Sequence, residues 1–155
     1  MIAAALYDWL LFGHIVAAMA WVGGGVVLFV MAVSTLRGSE TDALARFVRG
    51  LRVVGPGVLA PGTVITLGLG VWLVLDSAAW DFGQTWVLSA LGLAAAGIAI
   101  GAIHQSHTAL AAERALGRAD TREARRQLVL WTRGYGLILV LLVVIAWDMV
   151  FKPGF

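Results

Sequence analysis

The chain has 155 residues, 61% hydrophobic and 13% charged, with a net charge of +2 and a mean hydropathy of +0.91. Soluble domains carry about 25% charged residues, so this composition excludes one and indicates a membrane protein. The absence of cysteine excludes disulfides, thiolate metal sites and cysteine-ligated iron–sulfur clusters.

Four apolar runs are long enough to span a bilayer, a length of about 20 residues at a rise of about 1.5 Å each. They predict an all-α, four-helix membrane bundle in a single transmembrane domain over residues 1–155. The first run covers about residues 9–35. It lacks a basic segment before it and is too long for a signal peptide, so it reads as a retained helix. It holds His14, whose nearest charged neighbour in sequence is Asp8. An ionisable group at membrane depth is costly and marks a candidate functional site. His14 lies about six residues inside the span, roughly 9 Å deep. Its helix face carries Ala17, Ala18, Trp21 and Gly25, within a run ending Gly23-Gly24-Gly25. A planar ligand could lie against that surface. His14 is therefore a candidate axial haem ligand, a candidate proton-relay group, or a histidine satisfied by a neighbouring helix.

Arg37, Arg46, Arg49 and Arg52 follow in the first connection. Ser39 and Asp42 have capping-box spacing. Leu44, Phe47, Val48 and Leu51 recur at helical spacing, which predicts a short amphipathic helix along the membrane interface. The second span, about residues 53–75, contains Pro56 in its first turn and Pro61, expected to bend it. Gly62, Thr66 and Gly70 repeat on one face, as small residues do where helices pack in lipid. The next connection has Asp76 and Asp81 and no basic residue.

The third span covers about residues 85–108, with helix expected to continue to about Leu116. Gly92 with Ala96, and Gly97 with Gly101, repeat the four-residue spacing. His104 and His107 share a helix face and could chelate a metal, with Gln105 and Glu113 to the side. They equally suit the polarity of a helix leaving the membrane. His104 lies roughly 27 Å from the outer boundary, so it should not share a small metal ion with His14. Arg114, Arg118, Arg122, Arg125 and Arg126 fill the last connection, and Arg133 lies inside the fourth span, about residues 129–151. Near the end of that span stands Asp148, with Asp8 at a similar level. Either carboxylate could relay protons, and Asp148 is the expected partner of His14, with Thr66 and Ser89 at the same depth.

All ten arginines fall on one side, and the single lysine, Lys152, is at the far end. The positive-inside rule then makes both arginine-rich connections cytoplasmic and both termini external, in a multi-pass membrane protein. Trp9, Trp72, Trp80, Trp86 and Trp147 are expected in the outer aromatic belt, with Trp131 and Tyr135 in the inner one. No glycine-rich phosphate loop, serine–histidine nucleophile pair or paired carboxylates within one span appear, and nothing points to nucleic acid.

Three loose motifs carry a resemblance across nearly the whole chain: His14 with Trp21 and Gly23-Gly24-Gly25; Trp86-Val87-Leu88-Ser89 leading to Ile103-His104; and Val150-Phe151-Lys152-Pro153. The chain resembles the bacterial membrane superfamily that joins HemJ-type protoporphyrinogen oxidases, the CopD copper-resistance membrane domain and uncharacterised relatives. The resemblance implies a compact bundle and, in the HemJ branch, a haem b held by the first-span histidine, here His14. That branch has a lysine early in the third span where this chain has Ser89, so the chain looks like an uncharacterised relative. The leading expectation is a haem b-binding redox or electron-transfer protein, with Trp21, Gly24 and Gly25 shaping the pocket and Asp148 or Asp8 handling protons. An oxidoreductase of the protoporphyrinogen oxidase type falls within it. The alternatives are copper handling through Met19, Met31, Met149 and the histidines, or a non-catalytic bundle that forms a homo-oligomer or joins a membrane complex.

Overall fold

The computed structural model describes residues 2–154, and the ordered elements among them are all helical. Helix α1 spans Ile2–Arg37 and α2 spans Thr41–Val54. A π-helical turn over Gly55–Leu59 joins α2 to α3, Ala60–Asp76. Helix α4, Thr85–Ala99, continues through a second π-helical turn, Ile100–Gln105, into α5, Ser106–Gly117. Helix α6 runs from Thr121 to Phe151. Four continuous helical stretches are thus long and apolar enough to cross a membrane: Leu6–Arg37, Thr41–Asp76, Thr85–Gly117 and Thr121–Phe151. Each has more than 30 residues. At about 1.5 Å per residue that exceeds a hydrocarbon core of about 30 Å, so every helix projects beyond the apolar layer.

Proline chemistry explains the first π-helical turn. Pro56 lacks an N–H and crowds the carbonyl four residues back. The turn widens, and the Ala60 N–H bonds to the Gly55 carbonyl five residues earlier. The distortion expected at Pro61 therefore lies immediately before it, and the helix passes on unbroken.

The helices pack unevenly along their length. Helix α1 packs on α3 and on α6, and α4 packs on α6. Among the described residues α3 packs against neither α4 nor α6. The order is a row, α3–α1–α6–α4, at the end that carries the chain termini. At the arginine-rich end α2 and α5 close the arrangement, and the main core forms between α1, α2, α5 and α6. Leu44, Val48 and Leu128 are fully buried there, and Ala32, Ala115 and Ala124 let the backbones approach.

Three expectations are corrected at this end. The apolar face of α2, with Leu44, Phe47, Val48 and Leu51, is buried in this core rather than laid on lipid. Ser39 does not cap α2: Glu40 is its N-cap residue and makes no side-chain cap bond. Trp131 and Tyr135 are core residues, 3% and 6% exposed, stacked at 4.9 Å with Phe47 edge-on to Trp131. Trp86 is likewise buried, whereas Trp9, Trp72 and Trp147 are exposed as a belt requires. Some of the arginines also bond within the fold. Arg125 donates to the carbonyls of Leu36 (3.1 Å) and Gly38, closing the end of α1. Arg52 pairs with Glu113 at 3.0 Å, tying α2 to α5.

Candidate functional site

The seam between α1 and α3 is built from two rings facing two glycines. Trp21 lies against Gly62, where a Cβ would stand 2.9 Å from the indole Cδ1. His14 lies against Gly70, where a Cβ would stand 3.1 Å from Cε1. The rings are about two turns apart on α1 and the glycines about two turns apart on α3, so the Gly62, Thr66, Gly70 repeat receives them in register. A shallow groove of about 200 Å³, lined by Ala17, Ala20, Trp21, Val58, Gly62 and Ile65, lies at the Trp21 end of this seam, and His14 does not line it.

His14 is half-buried, and its Nδ1 donates to the Thr66 carbonyl at 2.9 Å. A carbonyl only accepts, so Nδ1 carries a proton, and it is in the neutral ring that the Nε2 lone pair is left for another partner. Ligating histidines are oriented this way, with the second ring nitrogen held by a carbonyl or carboxylate. The Thr66 hydroxyl is buried without a hydrogen-bond partner.

The remaining pocket candidates diverge. Gly25 is buried toward α6, where a Cβ would stand 2.7 Å from the Tyr135 hydroxyl. Gly24 is exposed with nothing near it. Consecutive helical residues point about 100° apart, so a glycine triplet cannot line one wall. His14 and Trp21 remain as the pair the fold brings together.

Asp148 is 3% exposed and its Oδ1 lies 3.0 Å from Ser89 Oγ across the α4–α6 seam, sharing the single hydroxyl proton with the Thr85 carbonyl at 2.7 Å, while its Oδ2 is buried without a partner. The expected bond between His14 and Asp148 is not formed: one residue bonds to α3, the other to α4. Asp8 is exposed.

At the other end, His104 Nε2 donates to the Leu130 carbonyl at 3.2 Å, and its ring fills the space left by Gly134. His107 is exposed. Among the described residues no three or more His, Cys, Asp or Glu side chains gather closely enough to hold one metal ion. Two features escaped the sequence reading. Gln105 is buried with neither amide atom bonded, and it ends the π-helical turn Ile100–Gln105. An amide closing an apolar run between two histidines was the available signal. The other is Lys152, whose ammonium lies over Trp80; its position in a basic-proline ending was visible, its partner was not.

The chain matches, over residues 8–153, the family described as predicted integral membrane protein (DUF2269). No curated protein and no solved structure matches it.

Proposed function

The chain belongs to the DUF2269 family of predicted integral membrane proteins, and from that premise we propose that it is a haem b-binding redox protein with His14 as an axial ligand. The observation that carries this reading is the bond from His14 Nδ1 to the Thr66 carbonyl, which frees Nε2. The Thr66 carbonyl fixes the tautomer and the ring plane. Gly70 leaves the imidazole room, and Trp21 on Gly62 holds α1 and α3 at one spacing. Bound haem would supply one-electron chemistry, and the protein would set its ligation and surroundings. In this reading the protein sits in a bacterial inner membrane with the arginine-rich end inside and both termini outside, the orientation the arginine distribution favours.

The test is the absorption spectrum of the detergent-purified protein supplied with haem. A Soret band that is shifted or lost in His14→Ala is expected. No Soret absorption in the wild type, or an identical spectrum in His14→Ala, would overturn the reading.

A second reading, an assembly subunit, is favoured by α4. A Cβ at Gly92 or Gly97 of α4, or at Gly101 in the π-helical turn after it, would meet nothing within 4 Å among the described residues, so these small residues face away from α6 and leave room for another helix. A single species of defined oligomeric size in detergent, dissociated by Gly97→Leu, would support it. Copper handling finds less support, because Met19 and Met31 are 69% and 52% exposed and no ligand cluster forms among the described residues.

A further inference from the structure

A groove of about 320 Å³ lies between α1 and α2 at the arginine-rich end, a volume within the range of small-molecule sites, about 300–1,000 Å³. Its apolar wall is made by Leu28 of α1 and by Phe47, Leu51 and Val54 of α2. Phe47 and Leu51 are buried in the closed core, so that wall is held in place. Gly50 also lines the groove, and a Cβ there would meet nothing within 4 Å among the described residues. Val27 and Val53, the sequence neighbours of Leu28 and Val54, are exposed, so the surface beside the groove is apolar and faces the bilayer.

The charged residue lining the groove is Arg46. It is exposed and has no hydrogen-bond or ion-pair partner among the described residues. Other arginines of this end are engaged: Arg52 with Glu113, Arg126 with Glu123, and Arg125 with the carbonyls of Leu36 and Gly38. Asp42, one turn before Arg46, forms no ion pair with it. Thr35, also at the groove, donates its hydroxyl proton to the Met31 carbonyl at 2.9 Å. Arg46 therefore keeps its donors free.

The charged and apolar parts are separated along the helices. Helix α1 ends at Arg37, and α2 starts at Thr41 and runs on through α3 as one stretch long enough to cross a membrane. Arg46 thus stands toward the end of the molecule, and Val54 lies about 12 Å deeper. Over that length a volume of about 320 Å³ is a channel roughly 5 Å across. Packed hydrocarbon carbons stand about 3.5–4.0 Å apart, so one chain fits. A helix, about 10 Å in diameter, does not.

We propose that this groove binds one anionic phospholipid, with its phosphate on Arg46 and one acyl chain laid along Phe47, Gly50 and Val54. A guanidinium matches a phosphate with two parallel charge-assisted hydrogen bonds, and an unpaired cation beside the apolar layer is costly until it finds an anion. The net negative charge of the lipid favours it over a zwitterionic one at an arginine-rich surface. Topology alone asks only on which side the arginines lie; it does not ask for an apolar channel leading inward from one of them. The site is at the opposite end from the His14 seam, so the haem reading and this one stand or fall separately.

The full-length protein, freed of lipid in a neutral detergent, is titrated with dioleoylphosphatidylglycerol or dioleoylphosphatidylcholine, and native mass spectrometry counts the bound lipid. The first phosphatidylglycerol should bind about tenfold more tightly than phosphatidylcholine, the scale of one charge-assisted contact. Arg46→Gln should bring it down to the phosphatidylcholine level. Arg122→Gln, at an exposed arginine of the same end, should leave it unchanged. Gly50→Leu should weaken both lipids about tenfold by filling the channel, with the space for its Cβ already open. The wild type gives a check without any variant: phosphatidylglycerol should raise the midpoint of thermal unfolding more than phosphatidylcholine does. Equal affinities or equal midpoints for the two lipids in the wild type would overturn the proposal. So would a loss in Arg46→Gln no larger than in Arg122→Gln, binding unchanged by Gly50→Leu, or a dimer that Gly50→Leu dissociates and phosphatidylglycerol does not.

Discussion

The two ends of the molecule are built on opposite principles. At the arginine-rich end, α1, α2, α5 and α6 close around buried leucines, alanines and a stacked Phe47–Trp131–Tyr135 group. At the end carrying the termini the helices stand in a row, α3–α1–α6–α4, with no packing between α3 and α4 among the described residues. The buried or half-buried polar groups His14, Thr66, Ser89 and Asp148 belong to this open end. The closed end keeps an incompletely satisfied polar group as well, Gln105, buried with neither amide atom bonded. The ends therefore differ in how the helices close and not in whether they hold such groups, each of which is costly.

The comparison is tested most severely by removing bulk from each end. Leu128 is 1% exposed in the closed core, and Leu128→Ala should cost about 2–5 kcal/mol, the range for a leucine that leaves a cavity. Leu73→Ala, in the open row and 8% exposed, should cost clearly less, because neighbouring chains or detergent can fill the space. Denaturant unfolding in detergent measures both, and equal losses would break the comparison. Between the ends, Gly25→Ala drives a methyl toward the Tyr135 hydroxyl. Tyr135 is stacked on Trp131 and has little room to yield, so a loss of about 1–3 kcal/mol is expected. Gly70→Ala asks the His14 ring to give by only a few tenths of an ångström. It should cost less stability and instead weaken any haem signal that depends on His14.

The polar seam of α4 and α6 gives the next effect. Ser89→Ala would leave Asp148 with both carboxyl oxygens unpartnered, a loss of about 1 kcal/mol, at the low end of the range because the single Ser89 proton is shared with the Thr85 carbonyl. Ser89→Ala/Asp148→Leu should recover most of it, because removing both partners leaves nothing unsatisfied. A double variant as unstable as Ser89→Ala alone would show that Asp148 contributes through something other than this bond.

How much of this was legible in the sequence follows from what a helical pattern encodes. The four spans were readable because each is a continuous apolar block bounded by polar residues. The Gly62, Thr66, Gly70 repeat was readable as a packing face, and the structure gives it Trp21 and His14 as partners. A period of 3.6 residues says which residues share a face, not which helix that face meets. The α2 stripe was therefore assigned to lipid and meets protein, and Asp148 was assigned to His14 and meets Ser89. The π-helical turns were not legible, because an inserted residue shifts the register without changing the composition. Nor was the contact of Lys152 with Trp80, which depends on a left-handed residue that a sequence pattern does not announce.

The smallest effect belongs to Glu123, in the first turn of α6 at the closed end. Hydrogen bonds from Gln127 and then Arg126 hold its carboxyl below the usual range. A carboxylate whose pKa is lowered by folding adds stability above its unfolded pKa and loses it as the pH falls through the folded one. Glu123 is partly exposed and faces solvent, so the effect should be slight and should shrink in high salt. Glu123→Gln should flatten the acid limb of the stability curve between about pH 6 and about pH 3. Asp120, which accepts the Glu123 N–H at 3.0 Å, should still hold the start of the helix. Hydrogen exchange locates the change. In acid, faster exchange should begin in the first turns of α6, before any change at the turns bearing His14 and Asp148. Simultaneous loss at both ends would mean that the closed core and the open row unfold as one unit, and the division between them would be structural without being energetic.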